Sequence, residues 1–393
     1  MRHDRLLPRK KLACALIVTG VILLATINAC CICSSLVGIG DDDDGNLLIK
    51  LDGDGHLLWS KFYKHSYPDV LAGTVDGGAL IIGYPPGSWI SKLDSNGELQ
   101  WDKVDYKALM YPIITLEQVS NGSFIIDLNA QSLVMIGNDG SPIWRNNATP
   151  ARMLHISSLA ASDDSIVAAT DSAVGWLDSD GNITGMVDLS HRSDMRPLLH
   201  VIDGGDCIVA YSAALDNSEA MYVARLNRTG YIWEMTVENS VPVSLCELPG
   251  GRLCAVYGKA ADIKGNPRWY DGANSNKLPL TVRSLSYDGA PGPEQIIGVK
   301  LPYLVTGDGD FVYAAFTSGA NEELVRDPGV HESLPDVRVV RLDMAGDERW
   351  NATVELGDAW YADLPGKITR NVESITQTGD GGYIVQVDVR GIP

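Results

Sequence analysis

The chain has 393 residues, 45% hydrophobic and 7% aromatic, with 31 Lys and Arg against 50 Asp and Glu, a formal net charge of −19. That balance leaves no basic patch able to displace counterions from a phosphate backbone, which excludes nucleic acid as a partner. Forty Gly, 19 Pro and 9 Trp beside only 4 Phe describe many short strands and tight turns, and neither a collagen nor a disorder composition.

Residues 1–11 form a basic tail carrying Arg2, Arg5, Arg9, Lys10 and Lys11. Residues 12–40 are uncharged, a longer run than the roughly 20 residues that cross ~30 Å of hydrocarbon. Asp41, Asp42, Asp43 and Asp44 follow directly. Basic charge before the run and acidic charge after it predict a single-pass transmembrane signal anchor with a cytoplasmic N-terminus, so that the rest of the chain is extracytoplasmic, at the cell surface. Ile27-Asn28-Ala29-Cys30 has the outline of a lipobox and makes Cys30 a lipidation candidate, although Asn28 stands where a small residue belongs. Residues 41–46 read as an acidic linker, and residues 47–393 as the folded body.

Two signals alternate through that body. The first is an apolar strand, a turn centred on Gly and a strand carrying Trp: LLIKLDGDGHLLW from Leu47, WISKLDSNGELQW from Trp89, LVMIGNDGSPIW from Leu133, AVGWLDSDGNITG from Ala173, YVARLNRTGYIW from Tyr222, TVRSLSYDGAPGP from Thr281 and RVVRLDMAGDERW from Arg338. The second is a Gly-turn hairpin at Asp76, Asn121, Asp163, Asp203, Gly250, Asp308 and Asp380. There Asp-Gly, Asn-Gly or Gly-Gly is expected to supply the positive φ of a two-residue turn. Leu47 and Trp89 open successive copies about 42 residues apart, the size of a four-stranded propeller blade.

Seven copies of each signal predict an all-β, seven-bladed β-propeller. The first signal precedes the first hairpin, and the last hairpin has no first-signal partner after it. Residues 47 to 63 are therefore expected to supply strands three and four of the blade whose strands one and two lie within Val372 to Val389. Such closure removes exposed strand edges.

These repeats resemble the quinoprotein-like propeller superfamily, and among its members the secreted and surface repeat proteins of archaea and bacteria with DGGYIV and KLDxxGxxxW patterns, over roughly residues 45 to 393. The resemblance implies that Trp59, Trp101, Trp144, Trp233 and Trp350 dock one blade on the next. The fourth and sixth first-signal copies carry Gly185 and Pro293 instead, so those contacts are expected to be weaker or differently filled. The resemblance does not extend to quinone chemistry: the one vicinal cysteine pair, Cys30-Cys31, lies in the uncharged run. No cofactor is expected.

Three long connections fall on one face of the disc, on neighbouring blades: Lys259 to Leu280, Ser318 to Asp336 and Leu356 to Arg370. They carry Trp269, Tyr270, Asp271, His331, Trp360, Tyr361 and Asp363. Aromatic pairs beside an acid can stack on sugars or grip a peptide, and equally can pin their own loops. A protein or glycan partner is expected on this face.

The alternating carboxylates of Asp52-Gly53-Asp54-Gly55 and Asp178-Ser179-Asp180-Gly181 raise a calcium reading, but the twelve-residue ligand set of an EF-hand is absent, and turn chemistry is the stronger reading. Cys246 and Cys254 flank Pro249-Gly250 symmetrically, as a disulfide or as two small core residues. Asn121, Asn147, Asn182, Asn227 and Asn351 are glycosylation sequons. The sequence holds no GxSxG, HExxH or phosphate-cradling loop. The expected role is a non-catalytic binding or cell-envelope module. The alternative is a quinoprotein-like dehydrogenase or other propeller enzyme with a central-channel site.

Overall fold

Alternation of apolar strands with glycine-bearing turns folds, in the computed structural model, into seven antiparallel sheets of four strands each. The structure describes residues 45–64, 68–83, 89–104, 113–119, 121–128, 132–146, 156, 158–161, 165–202, 204–215, 218–248, 251–260, 278–299, 303–305, 309–316, 336–355 and 367–392. Residues 12–40 and Cys30 lie outside them. No helix among the described residues is long and apolar enough to cross a membrane.

The chain enters with β1 (Gly45–Leu51) and β2 (Leu57–Lys64). Blade 1 follows as β3 (Pro68–Gly73), β4 (Ala79–Gly83), β5 (Trp89–Leu93) and β6 (Leu99–Val104), and blade 2 as β7 (Ile113–Gln118), β8 (Phe124–Leu128), β9 (Ser132–Ile136) and β10 (Pro142–Asn146). Blade 3 holds β11 (Ser158–Ala161), β12 (Ile166–Ala169), β13 (Ala173–Leu177) and β14 (Ile183–Asp188), and blade 4 holds β15 (Leu198–Val201), β16 (Cys207–Leu215), β17 (Ser218–Asn227) and β18 (Gly230–Glu238). Blade 5 is β19 (Ser240–Leu248), β20 (Arg252–Lys259), β21 (Leu278–Ser286) and β22 (Pro291–Val299), and blade 6 is β23 (Tyr303–Val305), β24 (Phe311–Phe316), β25 (Val337–Leu342) and β26 (Glu348–Val354). β27 (Lys367–Gln377) and β28 (Tyr383–Ile392) then pair with the first two strands in the order β27-β28-β1-β2, closing blade 7 from both chain ends. In that sheet Gly45 stands opposite Val389 and Leu51 opposite Tyr383.

The first strands β3, β7, β11, β15, β19, β23 and β27 touch one another in sequence, and β27 touches β3, so the ring is closed around a central axis. Seven apolar clusters fill the seven spaces between neighbouring blades. Second and third strands are buried on both faces, as in Ala79–Gly83 and Ala173–Leu177, which is why they read as unbroken apolar runs. Outer strands such as β10 are mostly exposed.

Two sequence expectations are corrected. Gly45 and Asn46 belong to the sheet and not to the linker: both are buried, and Gln386 Nε2 donates to Asn46 Oδ1 at 3.1 Å. The hairpin turns also have three residues, not two. Thr74 N–H donates to Gly78 O and Gly77 N–H to Thr74 O, both at 3.0 Å, so Val75–Gly77 is the loop and Gly77, at φ +83°, is its third residue. That is a type I turn closed by one left-handed glycine, and Thr378–Gly382 repeats it.

Candidate functional site

An up-and-down blade places its strand-2/3 connections and its crossings to the next blade on one face, and its tight turns on the other. The chain leaves the first face at Lys259 and returns at Leu278, leaves at Phe316 and returns at Val337, and crosses from Glu355 to Lys367. Trp269, Tyr270, Asp271, His331, Trp360, Tyr361 and Asp363 fall within these connections, outside the described residues. Blades 5, 6 and 7, which flank them, are adjacent.

One polar and aromatic cluster, which sequence reasoning missed, sits on the crossing from blade 3 to blade 4. Ser190 Oγ donates to Glu234 Oε1 at 2.6 Å and lies 2.7 Å from the Tyr211 hydroxyl, while Ser190 N–H donates to the Tyr231 hydroxyl at 2.6 Å. His191 stacks on Tyr222 at 4.5 Å, and Tyr222 on Tyr211 at 5.3 Å. Arg192 pairs with Asp171 at 2.6 Å, and Asp194 N–H donates to Ser212 O. These bonds hold the crossing against blade 4, so the cluster is an anchor for the chain. Its members are scattered between residues 171 and 234, and no spacing in the sequence announces them.

The tryptophans show how the blades meet. Trp59, Trp101, Trp233 and Trp350 donate their indole N–H to Ser95, Asn138, Tyr287 and Gly53 carbonyls at 2.8, 2.8, 2.7 and 3.1 Å, each in the outer turn of the next blade. Each ring lies on the left-handed glycine of that turn. A Cβ would come within 3.0 Å of Trp59 at Gly97, 2.7 Å of Trp144 at Gly181, 2.9 Å of Trp233 at Gly289 and 2.7 Å of Trp350 at Gly55. Trp144 makes the same approach, although its N–H finds no acceptor among the described residues.

Where the Trp is missing, other groups fill the place. Gly185 faces the Arg228 side chain, while Trp176, one strand further in and fully buried, donates to Gly205 O at 2.7 Å. In blade 5, Gln295 Nε2 reaches Ala345 O at 2.8 Å and Ile297 lies by Gly346. Gly289→Ala is expected to cost about 2–4 kcal/mol, combining a left-handed non-glycine backbone with overpacking against Trp233. Gly204→Ala is its control, since Gly204 has φ +86° with nothing within 4 Å of an added Cβ. Only the backbone cost of about 1–2 kcal/mol should appear there. Equal losses in urea denaturation would show that the Trp dock contributes nothing.

A second missed feature is a set of buried cations. Lys50 and Lys92 are 0% and 1% exposed. Lys50 Nζ donates to Asp380 Oδ1 at 2.8 Å, to Gly77 O at 3.1 Å and to the Thr378 hydroxyl, and Lys92 pairs with Asp76 and with Gln100 Oε1 at 2.8 Å. Arg225 pairs with Asp206 at 2.7 Å and Arg341 with Asp310 at 2.8 Å. In all four blades the cation stands one residue before the terminal Leu of the third strand, and the carboxylate lies in or beside the blade's own inner hairpin. The paired occurrence of K/R-L-D or R-L-N with an Asp in the hairpin is the signal that could have revealed it. In blade 3 Trp176 holds the cation's position.

The remaining candidates resolve individually. Asp52 Oδ1 accepts from Asp54 N–H at 2.9 Å and His56 N–H at 2.8 Å, and Oδ2 meets His56 Nδ1 at 3.0 Å. The carboxylate keeps the His56 ring above its ordinary pKa. Asp94, Asp178 and Asp343 make the same backbone bonds, so the acidic turns are used in turn-building. Asp52, Asp54 and His56 bring ligand atoms within 4.8 Å of one another at the exposed end of blade 7.

Cys246 stands directly opposite Cys254 across β19 and β20. Asn121, Asn182 and Asn351 are exposed, Asn227 is half-buried with Oδ1 accepting from Thr229 and Gly230, and Asn147 lies outside the described residues. Glu117, on the innermost strand β7, faces Ile125 across the sheet, on the side of the blade 2 to blade 3 core. Burial there pushes its carboxyl up to about 7.

No protein-family model matches the chain, and no curated protein matches it in sequence. Among solved structures, hydrazine synthase of Kuenenia stuttgartiensis is similar at 12% identity, with a TM-score of 0.48, over 81% of this chain and 92% of that one. BamB of Moraxella catarrhalis is similar at 14% identity and a TM-score of 0.40, over 81% and 93%. A protein of unknown function from Bacteroides caccae is similar at 15% identity and a TM-score of 0.38, over 64% and 94%. The assignment rests on the chain's own strand pairing: seven four-stranded blades, closed by both chain ends, make it a seven-bladed β-propeller.

Proposed function

We propose that the protein is a membrane-anchored, extracytoplasmic propeller that binds a protein or glycan partner of the cell envelope without catalysing a reaction. Residues 12–40 serve as the anchor, and the face bearing the long connections serves as the binding surface, with Trp269, Tyr270, Asp271, His331, Trp360, Tyr361 and Asp363 as contact candidates. The observation that carries this reading is the asymmetry of the disc. The long connections leave from one face, on three adjacent blades, whereas the opposite face carries tight turns occupied by their own hydrogen bonds. Long loops on a rigid scaffold are where recognition residues concentrate.

The inner-hairpin carboxylates Asp76, Asp206, Asp310 and Asp380 favour the non-catalytic reading, since each is tied to a cation of its own blade. Among the described residues Glu117 is the innermost-strand carboxyl that burial raises to about 7, but it faces the blade 2 to blade 3 core and gives the channel-enzyme alternative little support. The double variant Trp269→Ala/Trp360→Ala of the full chain is expected to bind isolated envelope fractions at least about tenfold more weakly, or 1.4 kcal/mol. Unchanged binding with an unchanged melting curve would remove this face from the function.

A further inference from the structure

Cys246 and Cys254 face each other on the inner hairpin of blade 5. Directly opposite residues of an antiparallel pair hold their Cα atoms about 4.5–5.5 Å apart, with both side chains on one face of the sheet. A disulfide accepts Cα separations of about 4.4–6.8 Å, so the register brings the two within bonding reach. Both side chains belong to the same apolar cluster, between blades 5 and 6, and joining them opens no seam. Blade packing does not call for two thiols there. The corresponding pairs are Ala72 with Leu80 in blade 1, Ala160 with Val167 in blade 3 and Leu304 with Val312 in blade 6.

We infer that Cys246 and Cys254 are an attacking and a resolving cysteine, oxidised to a reversible cross-strand disulfide by exchange with a low-molecular-weight disulfide. The roles follow from exposure. Cys254 is fully buried, whereas Cys246, on the innermost strand β19, is half-buried and retains contact with solvent. The Cys246 thiolate attacks one sulfur of the reagent, forming a mixed disulfide and expelling one thiolate. Cys254 then gives up its proton and attacks the Cys246 sulfur, which expels the second thiolate. Two protein thiols are thereby oxidised, the reagent is reduced to two thiols, and both protons pass to the leaving groups. Cys207 takes no part. It belongs to the cluster between blades 3 and 4, and burial, with the Asp206 charge beside it, pushes its thiol well above the ordinary value. The bond staples β19 to β20, and it depends neither on the membrane anchor nor on the binding face.

The test treats the folded, detergent-solubilised full chain with oxidised glutathione, quenches it with acid, alkylates the remaining thiols and maps the peptides by mass. Cys246 and Cys254 are expected as one linked pair, lighter by two hydrogen atoms, and Cys207 as an alkylated thiol. Dithiothreitol should restore both thiols. Hydrogen exchange across Ser244 to Leu248 and Arg252 to Val256 should be at least about tenfold slower in the oxidised form. Alkylation of both thiols after the treatment, or glutathione retained on Cys246 of the native chain, overturns the inference. Cys254→Ala is expected to trap glutathione on Cys246, and Cys246→Ala to leave Cys254 at least about tenfold slower to react. Equal rates in the two variants overturn the assignment of roles. Should either variant fail to fold, the peptide map of the native chain still decides whether the bond forms.

Discussion

Lys50→Met is expected to lower the unfolding free energy by about 1–3 kcal/mol, because the fully buried ammonium loses its hydrogen bonds while the part-exposed Asp380 carboxylate regains water. Lys50 belongs to the N-terminal strand of blade 7, yet its ammonium is held by Thr378 and Asp380 from the C-terminal hairpin and by Gly77 O of blade 1. It clasps the two chain ends and the next blade at one point. The loss should thus appear first as fast hydrogen exchange across residues 45–64.

Lys92→Met is the matched control, because its partners Asp76 and Gln100 both belong to blade 1. It should destabilise the protein while leaving protection of residues 45–64 intact. If both variants expose the N-terminal strands equally, Lys50 is not a clasp. Burial alone would raise the Asp380 carboxyl, but the bonds from Lys50 and Thr378 outweigh it and hold the group below its usual 3.8. Its contribution is therefore complete above that value and is lost as pH falls through the lower folded value.

Glu117→Gln is expected to act in the opposite sense. The carboxyl moves from 4.5 to about 7 on burial, so between those values folding takes up a proton and stability falls as pH rises. Above pH 7 the folded protein carries the full cost of a charge in apolar surroundings, up to about 3 kcal/mol and less in proportion to its residual hydration. Glutamine keeps the shape without the charge. Denaturation midpoints of the two proteins should agree at pH 4 and separate at pH 8 in favour of the variant. A parallel pH dependence would show that the Glu117 carboxyl is solvated.

Blade number and closure were legible because they are written locally. A turn needs its glycine and an outer strand its tryptophan, and the offset of the two signals at the chain ends admits one arrangement of blade 7. Turn length was misread because Asp-Gly suits a two-residue turn, whereas the hydrogen bonds give the glycine the third position of a longer loop. The buried cations were overlooked for a different reason. In a period-2 strand Lys50 and Lys92 look like solvent-facing residues, and only the approach of the inner hairpin, brought alongside by sheet pairing, turns their ammonium groups inward. Nothing in the sequence forecast that Trp176 would take over the missing dock of blade 3, since that depends on how far one blade stands from the next.

The sequence by itself determined the architecture, the docking tryptophans and the uncharged N-terminal run, because each depends on residue type at a fixed local spacing. The tertiary structure decided which carboxylates are neutralised, which carboxyl is raised by burial and on which face β1 begins. Those properties depend on distances between residues up to 330 positions apart, and such distances are set only when the ring closes.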